Sequence, residues 1–204
     1  MPAASDELEL IELWPTLFLN QRLPGHEAHT ERLLALARSR SEDGVFAIVD
    51  PSVEWLKPHV AHGVNAYLSA YQSVDARQWS VRGWFERLEQ DDYQGLHDRP
   101  GADLCGMYVL SSADDGAGSG RRDDLRPGCV SFFDPRPAMH MNAISGDPYQ
   151  RYQHTLRPVP GLLVLWPAFV SHFVHPNLAR VEIVRIAFEV SVSDAGIDDR
   201  RAGA

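Results

Sequence analysis

The chain has 204 residues, of which 44% are hydrophobic and 23% are charged, a balance typical of a globular protein that buries a core. Its formal net charge of −9 argues against a nucleic-acid or anionic-membrane partner, because both reward clustered Lys and Arg. The N-terminus is acidic and no apolar run approaches the ~18 residues of a membrane span, so we expect a cytoplasmic protein. The two cysteines, Cys105 and Cys129, lie in apolar runs without metal-site spacing, and we expect unbridged thiols.

The N-terminal third carries one strand-like and two helix-like segments. Residues 9–19 alternate between apolar and polar side chains, which predicts a strand interrupted by Pro15. Apolar residues recur at helical spacing over 26–40 and again over 53–71, which predicts two helices. Pro58 must then lie in the first turn of the second helix or break it.

The pattern changes after residue 75 to short apolar runs separated by Gly, Pro and Asp. These runs predict strands at 78–85, 104–110, 128–133, 162–166 and 181–192. Several short strands at this spacing indicate a β-sandwich or barrel. Residues 111–127 are too polar to bury a core and predict a mobile loop, and residues 135–158 are also expected to form a loop.

The whole chain, residues 1–204, is expected to form one domain. Its parts would be an N-terminal strand and helices over 1–75, a β core over 76–192 and a tail over 193–204. The sequence leaves the oligomeric state open, and a homodimer is one of the options.

Two histidines 75 residues apart, His97 and His172, adjoin strand-like runs. Iron(II) that binds oxygen needs few protein ligands and open positions, and two imidazoles with one carboxylate meet that need. Arg185 follows His172 by 13 residues, far enough to return on the next strand and hold a carboxylate with its planar fork. The residue that would supply the carboxylate ligand, two after His97, is Arg99.

The sequence segments around these residues resemble those of a bacterial family of iron(II)/2-oxoglutarate-dependent oxygenases. The matching segments are Trp84-Phe85, Asp92-Tyr93-Gln94, His97, Pro100-Gly101-Ala102, Leu104, Gly106, Tyr108-Val109, Phe133-Asp134-Pro135-Arg136, Gly161-Leu162-Leu163-Val164-Leu165-Trp166-Pro167, His172, Val174, Pro176-Asn177 and Ala187-Phe188. The resemblance covers about residues 79–192, more than half of the chain. It implies a double-stranded β-helix, a cupin-like jelly roll that is mainly β, with the N-terminal helices packed on one sheet.

The resemblance also implies a site. His97 and His172 match the family's metal ligands, and the implied cofactors are Fe(II) and, as cosubstrate, 2-oxoglutarate. Tyr108 lies in a matching segment and is a candidate contact for the cosubstrate. The family's 2-oxoglutarate arginine falls on Ile183, and Arg185, two residues along and on the same face of a strand, is our candidate for that role.

At four positions this sequence has a charged residue that departs from the family pattern. Arg99 replaces a potential ligand, Arg185 replaces a small serine, and both Glu86 and Glu189 replace asparagines. Three interpretations of Arg99 stay open. The metal could keep two histidines and take another ligand; Asp98 or Asp103 could substitute, although Asp98 needs a bulge to reach; or metal binding is lost. Asp98 is the candidate third metal ligand, and Arg99 is the candidate catalytic residue that would anchor an acidic substrate.

These observations predict a non-haem iron(II)/2-oxoglutarate-dependent dioxygenase that hydroxylates or otherwise oxidises a small substrate. Two alternatives stay open. One is an iron enzyme on the same fold that does not use 2-oxoglutarate, and the other is a metal-free, cupin-like protein that binds a small molecule.

Overall fold

We analysed a computed structural model that describes residues 16–39, 43–70, 78–112, 126–138, 141 and 151–193. In chain order the elements are β1 (Leu19–Arg22), α1 (Glu27–Ser39), a short 3-10 helix (Val45–Ala47), α2 (Pro51–Ser69), β2 (Gln78–Leu88), β3 (Gln94–His97), β4 (Leu104–Val109), β5 (Val130–Phe133), β6 (Gln153–Leu156), β7 (Leu162–Pro167), β8 (His172–Val174) and β9 (Ile183–Ser193). Residues 9–15 of the strand predicted over 9–19, most of the loop over 111–127 and the tail beyond 193 lie outside the described residues; the described part of that segment enters a strand only at Leu19.

The strands form two antiparallel sheets. The larger sheet has five strands in the order β1-β7-β4-β9-β2, and the smaller has four in the order β3-β8-β5-β6. The crossovers between the sheets produce a jelly roll, so the prediction of a mainly β, double-stranded β-helix is confirmed.

The core has two layers, one on each face of the five-stranded sheet. Alternate residues of β4 divide between them: Cys105 and Met107 pack between the sheets, whereas Leu104 and Tyr108 pack toward the helices. A strand that is covered on both faces is apolar along its whole length, which explains why β4 and β7 appear as continuous apolar runs in the sequence. Both cysteines are buried and neither forms a disulfide.

The two predicted helices cover the outer face of the five-stranded sheet. α1 matches the segment predicted over 26–40. α2 begins earlier than predicted because Asp50 caps it, accepting a hydrogen bond from the Ser52 backbone N–H at 2.9 Å, and Pro51 fits the first turn. The prediction for Pro58 is wrong: it lies inside the helix, which continues because Leu56 and Val60 on either side of it are buried. None of the described helices combines the length and apolar character that a membrane span requires.

The four-stranded sheet contains the strands that the sequence did not predict. β3, β6 and β8 have only three or four residues each, and β6 lies in a segment that we expected to be a loop. The loop prediction for 135–158 is therefore wrong at its C-terminal end, where polar residues at an edge strand hide the pattern.

Candidate active site

Two histidines meet inside the jelly roll. His97 is the last residue of β3 and His172 the first of β8, and the two are directly opposed in the antiparallel register. Their ring centroids lie 4.2 Å apart. Trp166 packs edge-on against the His172 ring at 5.2 Å and fixes its position from the five-stranded sheet. The fold thus brings the two predicted metal histidines into contact.

A bulge in β3 directs His97 toward the cleft between the sheets. Gln94 pairs with Val174 and His97 pairs with His172, so β3 spans three residues where β8 spans two. The extra residue lets Gln94 and His97 face the same side, which a regular strand would not allow because side chains alternate.

Both imidazoles are suited to binding a metal. The Nδ1 atom of His97 lies 2.7 Å from the Gly95 carbonyl oxygen, so a proton on Nδ1 would leave the Nε2 lone pair for a metal. Burial lowers the pKa of His172 to about 3, with His97 and Arg185 adding to the effect, so that ring is neutral at physiological pH. Metal ions bind neutral imidazole.

The opposite wall of the cleft, on β2 and β9, carries a buried ion pair. Glu86 and Arg185 are register partners, and the Arg185 Nε donates to Glu86 Oε2. The Arg185 Nη2 donates to Gln94 Oε1 at 3.1 Å, which links this wall to β3. Burial alone would raise the pKa of the Glu86 carboxyl, but the charge and hydrogen bond of Arg185 more than offset it and hold that pKa below its usual range.

Arg99 extends the ion pair toward the mouth of the cleft. Its Nη2 lies 3.9 Å from Glu86 and its Nη1 lies 3.8 Å from Glu189. The guanidinium carbon lies 5.2 Å from the centre of the Trp84 ring, a cation–π distance. The backbone N–H of Arg99 donates to the Ala168 carbonyl at 3.1 Å, which anchors the residue beyond the end of β3.

Glu86, Arg99, Arg185 and Glu189 therefore form one connected set, which we call the charge network. At these four positions this sequence has a charged residue that departs from the family it resembles. Two acids and two bases balance to zero, and each of the four contacts another of opposite sign.

The charge network and its neighbours fill most of the cleft. The lining comprises Trp84, Glu86, Gln94, Arg99, Cys105, Gly106, Met107, Trp166, His172, Arg185, Ala187, Phe188 and Glu189. The remaining volume is about 20 Å³, space for about one water molecule. A dicarboxylate cosubstrate would have to displace side chains to enter.

Among the described residues we find no third protein ligand for a metal beside the histidine pair. Asp98 is exposed, and the β3 bulge lies before His97 rather than after it, so the geometry adds no support for Asp98 as a ligand and its role stays a prediction. Asp103 accepts a hydrogen bond from the Val192 backbone N–H at 2.8 Å instead. Within the described ranges no group of three His, Cys, Asp or Glu side chains could hold a metal ion. The histidine pair fits a metal that takes its other ligands from small molecules.

Tyr108 does not reach the cleft, which contradicts its prediction as a cosubstrate contact. It is fully buried on the helix side of the five-stranded sheet, where it packs against Trp55 of α2. Side chains alternate between the two faces of β4. Cys105 and Met107 line the cleft, so Tyr108 faces the helices on the other side.

Sequence reasoning missed three contributors to the site. Gln94, Trp84 and Trp166 line the cleft, and Trp166 carries a buried indole N–H without a hydrogen-bond partner among the described residues. A charged residue within an otherwise apolar run, such as Arg185 in β9, was a usable signal, since a charge is rarely buried unless it is paired.

Solved structures with a similar fold include two prolyl hydroxylases and a protein crystallised with 2-oxoglutarate. A prolyl-4-hydroxylase from Pseudomonas putida is 14% identical, with 87% of this chain and 93% of that chain covered and a TM-score of 0.54. HygX from Streptomyces hygroscopicus, solved with nickel and 2-oxoglutarate bound, is 15% identical, with 86% and 82% covered and a TM-score of 0.53. A viral collagen prolyl hydroxylase from Paramecium bursaria Chlorella virus-1 is 10% identical, with 94% and 100% covered and a TM-score of 0.56. At these identities the likeness establishes the fold.

A search of curated proteins finds no match to the chain. A family model described as "Putative 2OG-Fe(II) oxygenase" matches residues 82–189, more than half of the chain. The match begins in β2, ends in β9 and includes His97, His172 and the whole charge network. The chain belongs to this 2OG-Fe(II) oxygenase family.

Proposed function

We propose that this protein is a non-haem iron(II) oxygenase that oxidises a small substrate and holds the metal with His97 and His172. The observation that carries the proposal is the pairing of these residues across β3 and β8, with ring centroids 4.2 Å apart. Two distant segments of chain supply two imidazoles at one point, next to a cleft lined by charged side chains.

His97 and His172 would occupy two metal positions, and the remaining positions would go to water, cosubstrate and substrate. Iron(II) with two imidazoles and open positions supplies oxygen activation. The residues of the chain orient the ligands: Gly95 fixes the His97 ring through its carbonyl, and Trp166 packs against His172. The sheets would exclude most water from His172, which is buried in the cleft.

For 2-oxoglutarate, the cosubstrate of the family, we propose Arg185 as the carboxylate partner. Arg185 is buried, faces the cleft and carries a planar fork suited to a carboxylate. Its Nε and Nη2 atoms already donate to Glu86 and Gln94. The cosubstrate would therefore have to take the place of the Glu86 carboxylate, which would leave Glu86 to Arg99.

A second candidate is an iron enzyme of the same family that does not use 2-oxoglutarate. The Glu86–Arg185 pair favours it, because an internal carboxylate occupies the arginine that the cosubstrate would need. The small residual cleft volume of about 20 Å³ points in the same direction. In this case the substrate itself would fill the open metal positions.

Anaerobic reconstitution with Fe(II), followed by addition of 2-oxoglutarate, tests the proposal. We expect a visible metal-to-ligand charge-transfer band and, on exposure to air, formation of succinate. Arg185→Gln should weaken 2-oxoglutarate binding without removing iron, and His172→Ala should remove both. Iron that binds without any band or succinate would favour the second candidate. A protein that binds no iron contradicts both candidates.

A further inference from the structure

The ion pair at the mouth of the cleft is loose. Arg99 and Glu189 approach to 3.8 Å, and their side chains are 34% and 27% exposed. Neither side chain makes a hydrogen bond in the described part of the structure, whereas Arg185 deeper in the cleft donates two. An interaction at this distance without a hydrogen bond is easily exchanged for a closer one. Arg99 and Glu189 are thus the members of the charge network that a ligand can separate.

Arg99 is positioned to receive an anionic group. Its backbone is anchored to Ala168 and its guanidinium lies over the Trp84 ring, so little conformational entropy is lost on binding. The N–H donors of the guanidinium can form a bidentate contact with a carboxylate. The buried indole N–H of Trp166, which lacks a partner among the described residues, supplies a further unused donor in the lining of the same cleft.

The charge balance restricts which ligand can enter. An anion that bound Arg99 alone would leave the Glu189 carboxylate without its counter-ion, and a cation that bound Glu189 alone would leave Arg99 only its 3.9 Å contact with Glu86, a carboxylate already paired with Arg185. A half-buried charge that loses its partner weakens binding. A zwitterion replaces one ion pair with two and leaves no charge unpaired. In the chain without metal and cosubstrate, Glu86 keeps Arg185 as its partner.

We propose that the mouth of the cleft binds the α-amino-acid group of a zwitterionic ligand, with the carboxylate on Arg99 and the ammonium on Glu189. Because these two side chains lie 3.8 Å apart before a ligand separates them, the site suits a ligand whose opposite charges are close together, as they are when both groups are bonded to one carbon. In the context of the proposed oxygenase this ligand is the substrate. Binding to Arg99 and Glu189 does not require iron, so it can be measured separately.

The test uses the full-length chain freed of metal with EDTA. Thermal shift measurements with each of the twenty free α-amino acids identify a stabilising ligand, and calorimetry gives its affinity. We expect the N-acetyl and the carboxamide derivatives of that amino acid to bind at least about tenfold more weakly, because each removes one charge-assisted hydrogen-bond partner.

Two variants assign the ligand groups to residues. Arg99→Gln should weaken the amino acid at least about tenfold and should remove the penalty for carboxamide formation. Glu189→Gln should also weaken amino-acid binding at least about tenfold, and the N-acetyl derivative should then bind this variant as well as the free amino acid does. If Arg99 or Glu189 had only a structural role, its variant would bind the amino acid more weakly, but the carboxamide or N-acetyl derivative would still bind more weakly than the free amino acid. Arg87→Gln is the matched control, because Arg87 forms a comparable exposed pair with Glu182 at 3.6 Å, outside the cleft lining; it should bind as the wild type does.

Three results would overturn this inference: no amino acid stabilises the metal-free wild type, the N-acetyl derivative binds as tightly as the free amino acid, or both variants bind normally. Iron content, measured in parallel, separates this inference from the proposed function. Normal iron loading with any of these results removes the zwitterion site and leaves the oxygenase proposal intact.

Discussion

The two walls of the cleft differ in how closely they keep the chemistry of the family. The wall on β3 and β8 retains the histidine pair that the family pattern implies. The wall on β2 and β9 instead carries Glu86, Arg185 and Glu189, three of the four charged departures, which pair with one another and with Arg99. One wall of the cleft therefore keeps the paired histidines of the proposed metal site, while the facing wall carries a balanced set of charges.

The largest expected effect comes from breaking the deepest pair in the charged wall. Arg185→Met leaves the Glu86 carboxylate buried without its main partner, and we expect a loss of about 3–5 kcal/mol in the free energy of unfolding. The double variant Glu86→Leu with Arg185→Met should recover most of that loss, because no lone charge remains. Denaturant unfolding measures both. A single variant within about 1 kcal/mol of wild type would mean that the pair is effectively solvated.

The close packing under the charged wall provides the second test. A Cβ atom on Gly106 would lie 2.2 Å from the Phe188 ring, which must then shift. We expect Gly106→Ala to cost about 1–3 kcal/mol by overpacking. Gly101→Ala is the control, since a Cβ there meets nothing within 4 Å. Equal stabilities of the two variants in thermal and denaturant unfolding would show that the wall is more deformable than the structure indicates.

The third prediction concerns pH. The pKa of Glu86 is lower in the folded chain than its usual value of 4.5, so the unfolded chain binds more protons near that pH. The stabilisation from the charged Glu86 is fully present above pH 4.5 and is lost as the pH falls through the lower folded pKa. The difference in unfolding free energy between wild type and Glu86→Gln should therefore shrink as the pH falls below 4.5 toward the folded pKa of Glu86. A difference that grows on acidification would contradict this account.

The smallest effect is expected for an ion pair outside both walls. Arg87 and Glu182 approach to 3.6 Å with side chains 40% and 27% exposed, so solvent screens their attraction. Arg87→Gln should change the unfolding free energy by less than about 1 kcal/mol. If Arg87→Gln lowered the unfolding free energy as much as Arg185→Met does, solvent exposure would not determine how much an ion pair stabilises this fold.

The two sheets also differ in how well their strands can be predicted from the sequence. The long strands of the five-stranded sheet are predictable because they are apolar on one or both faces, as β4 and β7 show. The short strands β3, β6 and β8 are not, because three or four residues carry too little pattern. Their position is set by pairing with distant strands rather than by local preference.

The candidate site divides in the same way. The histidine pair could be predicted because the residues around His97 and His172 match a known pattern. The Glu86–Arg185 contact joins residues 99 apart, and it depends on the register between β2 and β9, which no local signal specifies. β4 is apolar on both faces, so its sequence does not tell which face of the sheet Tyr108 occupies.

The most direct test of the histidine wall is the iron content of the chain. Anaerobic equilibrium dialysis against Fe(II), followed by metal quantification, should give one iron per chain for wild type and for Arg185→Gln. His97→Ala and His172→Ala should each lose it, because the described residues offer no third protein ligand that could compensate. A wild-type chain that binds no iron, or a His172→Ala variant that retains it, would contradict the account.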